Sequence, residues 1–171
     1  MTSIRMPKVL VGSSPFLAAG QFGHRSLEYL RRFVERPEAV AEVVEEALRV
    51  GVRGVQPVAY EYILEGFKLA MERTGVEACV VGSTTPDDVL GSIEDLARFG
   101  ADAILLHGEV ADSLPPLRLE ELFKRIEKLG AVPGIATHRP VSTLRRLISH
   151  RVKLPIAMVP VNALGAFMGD R

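Results

Sequence analysis

Four glycines divide the sequence into a repeated pattern, and this pattern constrains the fold more than any other feature. At each of them an amphipathic stretch ends and an apolar run begins; the glycines are Gly51, Gly75, Gly100 and Gly130. A glycine just past a helix can adopt the left-handed conformation that ends the helix without a side-chain clash. The intervals of 24, 25 and 30 residues each have room for one helix, one strand and two short loops. Repeated helix–glycine–strand units predict parallel strands joined by right-handed crossovers.

The elements themselves follow from the apolar runs and the amphipathic stretches between them. The runs predict six strands, at Lys8–Ser13, Gly54–Val58, Ala78–Gly82, Ala103–Leu106, Val132–Ala136 and Pro155–Val161. The amphipathic stretches predict helices near Ser26–Val34, Glu38–Val50, Tyr60–Arg73, Pro86–Phe99, Leu119–Leu129 and Val141–His150. We expect the helix that begins at Pro86 to be capped by the Thr85 hydroxyl.

These units predict an α/β fold, and specifically a parallel (β/α) barrel of the TIM-barrel type. Six β/α units are visible in 171 residues, and the last two are lacking, since an eight-unit barrel takes about 250 residues. We therefore expect residues 1–171 to form a single (β/α) barrel-type domain that is incomplete at its C-terminus, or a fragment of a longer chain. The alternative is a complete open sheet, which binds ligands where its strand order reverses. The unpaired strand edges of an incomplete barrel need a cover, so we expect a homo-oligomer.

Composition and charge exclude several classes of protein. Apolar residues make up 47% of the chain and charged residues 25%, which is typical of a globular domain and excludes a disordered or collagen-like chain. Lys and Arg balance Asp and Glu at 21 each, so no electrostatic argument favours a nucleic-acid partner. Cys79 is the single cysteine, which excludes an internal disulfide. Since neither a signal peptide nor a membrane span is visible, we expect a cytoplasmic protein that does not bind a membrane. We expect its partner to be a small-molecule substrate and not a nucleic acid.

Polar residues that follow the predicted strands are the candidates for chemistry, because parallel α/β folds place their active sites at the carboxyl ends of the strands. His107 comes directly after the fourth strand, and Gly108 beside it permits close approach of a ligand. We interpret His107 as a catalytic acid/base and Tyr60, after the second strand, as a second proton donor. The alternatives are a half-buried histidine bonded to a backbone carbonyl and a tyrosine that packs as an ordinary helix residue.

Eight further residues in the same positions are predicted to bind substrate. They are Gln21, Arg25, Gln56, Ser83, Glu109, Thr137, His138 and Asn162. The first two lie in a long loop, 12–25, which we expect Phe16 and Phe22 to pack against the protein. Two imidazoles and a carboxylate (His107, His138 and Glu109) would suit an open metal site. Because the chain has no His-x-His pair on a strand and no His-Glu-x-x-His helix, we assign no metal ligands.

The middle of the chain, over about residues 40–164, resembles the aldo/keto reductase superfamily. Ile93–Leu96 followed by Ala101–His107 is similar to the segment around that family's fourth strand and active-site histidine. Gly134–His138 is similar to its fifth strand, and Val159–Leu164 to its sixth. The resemblance implies a barrel and places His107 at the position of the family's histidine.

Other catalytic positions of that family are not matched. Its reduction uses an aspartate, a tyrosine, a lysine and a histidine; here Gln56 stands at the aspartate position, and Tyr60 lies one residue from the tyrosine position. The third predicted strand and the residues after it, Ala78–Thr84, contain no lysine, so nothing visible would lower the pKa of the phenol. The family's cofactor phosphates bind mostly at strands seven and eight.

Function is therefore predicted only by class. We expect a TIM-barrel enzyme that performs acid/base chemistry on a small polar metabolite, either as a divergent aldo/keto-reductase-like oxidoreductase or as a lyase or isomerase. Its cofactor is unknown: the resemblance implies NADP as the first candidate, and a divalent metal ranks below it. The alternative is a non-catalytic small-molecule-binding or structural subunit of an oligomer.

Overall fold

The computed structural model describes residues 4–163, 165 and 168, except for the side chains of residues 20 and 21. The chain divides into two compact units, an N-terminal unit (Arg5–Gly82) and a C-terminal unit (Ser83–Arg171). Every strand pair described within a unit is parallel and joins strands that are consecutive in the chain. Pairing of consecutive strands is the arrangement of a (β/α) barrel, whereas a doubly wound sheet reverses its strand order. The predicted α/β barrel-type fold is confirmed.

The N-terminal unit alternates short strands with longer helices. Its elements are β1 (Val11–Gly12), two 3-10 helices (Ser14–Leu17 and Gly20–Arg25), α1 (Ser26–Phe33), α2 (Pro37–Arg49), β2 (Gly54–Gln56), α3 (Glu61–Thr74) and β3 (Cys79–Ser83), whose last residue belongs to the next unit. β2 ends earlier than predicted because Pro57 has no N–H to continue the ladder.

Aromatic side chains pack the long first loop against the helices of this unit. The buried ring of Phe16 meets Phe33 edge-on at 5.1 Å between ring centroids, and Phe67 at 6.0 Å. Phe22 packs edge-on against Tyr29 at 5.2 Å. The packing role predicted for Phe16 and Phe22 is therefore confirmed.

The C-terminal unit continues the same alternation. Its further elements are α4 (Val89–Phe99), β4 (Ala103–Leu106), α5 (Gly108–Ser113), α6 (Pro116–Lys128), β5 (Val132–Ala136), α7 (Pro140–Ser149) and β6 (Ile156–Met158). All residues of β4 and β5 are buried, as expected for parallel strands covered on both faces. β6 is shorter than predicted, since Pro155 and Pro160 flank its paired residues.

The glycines that defined the sequence pattern behave as predicted. Each has a positive φ just past a helix, with values of 103°, 64°, 89° and 90° at Gly51, Gly75, Gly100 and Gly130. Such angles strain any residue that carries a Cβ. The junctions therefore set where each helix ends and the next strand begins.

Two further local predictions are wrong. α4 begins at Val89 rather than at Pro86, and its cap is the side chain of Asp88, which accepts the Gly91 N–H at 2.9 Å. The Thr85 hydroxyl caps the turn before α4 instead: it accepts the Asp88 N–H at 3.3 Å and bonds the Ser92 hydroxyl at 3.0 Å. The second error is the omission of α5, because its six residues are too few to show a helical apolar period.

Candidate functional site

His107 occupies the junction between β4 and α5, and two hydrogen bonds fix it there. Its backbone N–H donates to the buried hydroxyl of Thr84 at 3.0 Å, while the Thr84 N–H donates to the Leu105 carbonyl at 2.9 Å. Its imidazole Nδ1 accepts the N–H of Glu109 at 3.3 Å, so that the ring caps the first turn of α5. The histidine is thus held by its backbone and by one ring nitrogen, which leaves Nε2 as the other polar atom of the ring.

The electrostatic surroundings favour the neutral form of this imidazole. Burial and the nearby imidazole of His138 lower the pKa of His107 from its ordinary value of 6.5, against the opposing effect of Glu109 and two aspartates. An Nδ1 that accepts a backbone N–H cannot carry a proton, so the neutral ring has its proton on Nε2. The group is therefore a neutral hydrogen-bond donor near pH 7.

His138 lies beside His107 in an arrangement that depends on a glycine. The two rings meet edge to face, with 5.8 Å between their centroids and an angle of 80° between their planes. A Cβ placed on Gly108 would lie 2.9 Å from both Cε1 and Nδ1 of His138. The exposed His138 ring therefore rests directly on the backbone of α5.

A carboxylate on α5 holds the turn that carries His138. Asp112 accepts hydrogen bonds from the hydroxyl of Thr137, from the hydroxyl of Thr143 at 2.7 Å and from the backbone N–H of His138 at 2.9 Å. Burial alone would raise the pKa of Asp112, but these hydrogen bonds outweigh it and the pKa lies below its ordinary 3.8. The carboxylate is charged at neutral pH and links α5 to the β5–α7 turn.

The end of α5 is held by a second helix. The Arg146 guanidinium donates to the carbonyl oxygens of Ala111, at 2.5 Å, and Leu114. These are carbonyls that a helix leaves without intrahelical partners. α5 is only six residues long, yet it is fixed at its first turn by His107 and at its last by α7.

The structure brings together part of the site predicted for this unit. His107, Thr137 and His138 lie in one network, and Glu109 takes part through its backbone while its side chain is exposed. Ser83 is buried at the end of β3. Asn162 is exposed beyond β6, where its N–H donates to the Met168 sulfur at 3.2 Å.

The residues predicted in the N-terminal unit lie on different features of that unit. Gln56 ends β2 and is half-buried, and Arg25 is exposed at the start of α1. The half-buried Tyr60 is the N-cap residue of α3 and lines a cleft of about 770 Å³, together with Tyr62. The side chain of Gln21 lies outside the described part of the chain.

Tyr62, in the first turn of α3, packs against the long first loop. Its hydroxyl donates to the Phe16 carbonyl at 3.1 Å and so fastens the first loop. Burial, Tyr60 and Glu35 raise the pKa of Tyr62 above its ordinary 10.0. A phenol whose pKa is raised is a poor proton donor, so Tyr62 is structural.

Sequence reasoning missed Asp112, Thr143 and Arg146. The one indication in the sequence was Thr143, a hydroxyl residue four positions before Leu147 and therefore on the same helix face. In the structure both residues are buried, and Thr143 is 2% exposed. A buried hydroxyl on an apolar face needs a hydrogen-bond partner, but the sequence does not reveal that this partner is Asp112. Within the described residues, no group of three or more metal-binding side chains occurs, and no helix has the length and hydropathy to span a membrane.

Comparison with known proteins supports the fold. No protein-family model matches the chain, and no curated protein matches it. Among solved structures it is similar to an aldo/keto reductase from Brucella melitensis, with a TM-score of 0.58 and 20% identity over 73% of this chain. The match covers 54% of that protein, so this chain spans about half its length. The similarity agrees with the resemblance found in the sequence and establishes a shared α/β barrel-type fold.

Proposed function

We propose that the C-terminal unit carries an acid/base site for a small polar substrate, with the neutral imidazole of His107 as its central group. The observation that carries this proposal is the hydrogen bond from the Glu109 N–H to Nδ1, which assigns the ring proton to Nε2. The Nε2–H can donate a hydrogen bond to the carbonyl oxygen of a substrate and stabilise the negative charge that develops there when a solvent base removes the α-proton. A carbonyl compound is the substrate class that suits such a donor.

His138 and its neighbours supply the rest of the proposed site. The exposed His138 ring contacts Gly108 and lies beside His107, where it can bind a polar group of the substrate. Glu109, Thr137, Ser83 and Asn162 remain substrate-binding candidates of this unit; Tyr60, Gln56, Gln21 and Arg25 are those of the N-terminal unit.

A nicotinamide dinucleotide is the first cofactor to test, because the similar solved structure is an aldo/keto reductase. Phosphates commonly bind at the free N–H groups of helix N-termini. In this unit the Asp88 carboxylate already accepts the Gly91 N–H at the start of α4. The His107 ring accepts the Glu109 N–H at the start of α5. At the start of α7 the anionic Asp112 takes the His138 N–H. These three helix starts do not fit a dinucleotide phosphate, so the proposed chemistry includes no hydride step.

The test compares the full chain with a His107→Asn variant. Asparagine is a good helix cap, so this change keeps the acceptor for the Glu109 N–H while it removes the titratable ring. With small hydroxy-aldehydes and hydroxy-ketones as probes, exchange of the α-proton with D2O and oxidation of NADPH report the two reaction classes. We expect turnover to fall by about 10²–10⁴-fold. The exposed His150→Ala, at the far end of α7, is the control; full activity of His107→Asn would refute the proposal.

The second candidate function is a small-molecule-binding or structural subunit of a homo-oligomer. Apolar side chains at and after β6 favour it, since Met158 and Val159 are each 40% exposed and Val161 is 82% exposed. Contiguous exposed apolar residues often mark interfaces. A second copy of the chain is the partner we propose. Light scattering should then give a dimer or larger particle that Val161→Asp dissociates and Leu117→Asp, on exposed α6, does not; a monomer refutes it.

A further inference from the structure

We propose that Asp112 is a positioning residue, whose carboxylate holds the β5–α7 turn so that the His138 ring rests on Gly108 beside His107. This inference rests on the proposed function of His107. It adds a residue that lies on α5 rather than at the end of a strand, and that acts through the backbone of its neighbours.

The hydrogen bonds converge on Asp112 from both sides of the turn. Thr137 lies just after β5 and Thr143 within α7, and both donate their hydroxyls to the same carboxylate oxygen, Oδ1. The His138 N–H donates to the other oxygen, Oδ2. Since each oxygen has its own donors, the carboxylate fixes both the position and the orientation of the turn.

The network extends one residue further through Thr137. The Thr137 hydroxyl donates to Asp112 and also accepts the Arg139 N–H at 3.0 Å. The backbone on both sides of the His138 Cα is therefore bound, directly or through one hydroxyl, to Asp112. Asp112 therefore fixes the backbone from which the His138 ring projects.

Helix stability does not explain a carboxylate at this position. Asp112 lies one residue before the end of α5, where the negative end of the helix dipole disfavours an acid. Arg146 already satisfies the terminal carbonyls of Ala111 and Leu114. What Asp112 contributes is its links to the β5–α7 turn.

The position of the β5–α7 turn matters because this turn places the His138 ring in close contact with Gly108. The His138 ring atoms lie 2.9–3.1 Å from the place that a Cβ on Gly108 would take, so the ring packs against the glycine itself. A misplacement of about 1 Å in a reacting constellation can cost about 10²-fold in rate. Loss of the Asp112 contacts should therefore reduce activity without removing any group that touches the substrate.

Two variants of Thr143 separate positioning from packing. Thr143→Val keeps the shape of the buried side chain and deletes the donor to Asp112, whereas Thr143→Ser keeps the donor and deletes a methyl group. We expect Thr143→Val to lower kcat/KM, because a misplaced His138 ring loses its contact with the substrate, and Thr143→Ser to retain kcat/KM. The reverse order would show that the methyl packing matters and would overturn the proposal.

The direct test is Asp112→Asn, with Asp95→Asn on α4 as the control because its partner Arg98 is exposed. The Gly108 α-protons lie against the His138 ring, so their NMR signals carry a ring-current shift that reports its position without any substrate. We expect Asp112→Asn to move these signals and to lower kcat/KM by about 10–100-fold, and Asp95→Asn to do neither. Unmoved Gly108 signals, or unchanged kcat/KM, overturn the positioning role.

The two proposals fail in different ways. If His107→Asn retains full activity, the proposed function is wrong whatever Asp112→Asn does to the Gly108 signals, and the positioning role falls with it. If His107→Asn is inactive but Asp112→Asn leaves the Gly108 signals in place, only the positioning role is wrong.

Discussion

Replacement of Gly108 by alanine should displace His138 and leave the fold almost intact. The new Cβ would lie 2.9 Å from Cε1 and Nδ1 of the His138 ring, which is about 0.6 Å inside ordinary contact. The ring is exposed and can swing away, so relief of the clash requires no backbone movement. Gly108 has no positive φ, and alanine is the better helix former. We expect the free energy of unfolding to change by less than about 1 kcal/mol.

The displacement should be visible in the titration of His107. The His138 imidazole is the second cause, after burial, that lowers the pKa of His107, so its departure should raise that pKa toward 6.5. NMR titration of the imidazole C–H signals measures the change, and thermal unfolding measures stability. The matched control is the same substitution in a His138→Ala background, where no ring remains to be displaced. An equal effect of Gly108→Ala in both backgrounds would refute the reasoning, since contacting residues must show coupling.

Three more predictions concern neighbouring residues. His138→Ala should raise the pKa of His107. In a pH–activity profile, the part of the curve governed by the titration of His107 should then move to higher pH; if it does not move, the two rings do not interact. Asp112→Asn should lower the free energy of unfolding by about 1–3 kcal/mol at pH 7. Because the pKa of Asp112 is depressed in the folded protein, its contribution is present above the ordinary pKa of 3.8 and is lost as the pH falls through the folded value. Denaturant unfolding over a series of pH values from 7 downward checks this, and a difference between the two proteins that does not shrink as the pH falls below 3.8 would contradict it. Gly134→Ala should cost about 1–3 kcal/mol, since its Cβ would lie 2.5 Å from Leu105 Cδ2 and 2.8 Å from the Ile156 carbonyl oxygen; unchanged thermal stability would count against this packing.

Much of the fold could be predicted because its determinants are local. The four junction glycines mark helix ends by backbone conformation alone, and β4 and β5 have the predicted bounds because each is a continuous buried apolar run. Errors arose where two local determinants compete. Thr85 and Asp88 are both good caps: Thr85 accepts the Asp88 N–H in the turn before the helix, and Asp88 accepts the Gly91 N–H in the first turn of α4.

The candidate site was less predictable because its contacts are distant in sequence. Strand position alone brought His107 and His138 to attention, since the carboxyl ends of neighbouring parallel strands lie side by side. Asp112 and Thr143 are 31 residues apart and lie on helices. Neither residue type nor spacing identifies such a pair; the three-dimensional path of the chain does.

The central claim is that His107 is a neutral donor with its proton on Nε2, and an NMR titration of its ring nitrogens tests this most directly. Long-range correlation of the ring nitrogens with the carbon-bound protons identifies the protonated nitrogen at each pH. The account predicts a pKa below 6.5 and, above it, a proton on Nε2. A pKa at or above 6.5, or a proton on Nδ1, would contradict the account, because Nδ1 could then not accept the Glu109 N–H.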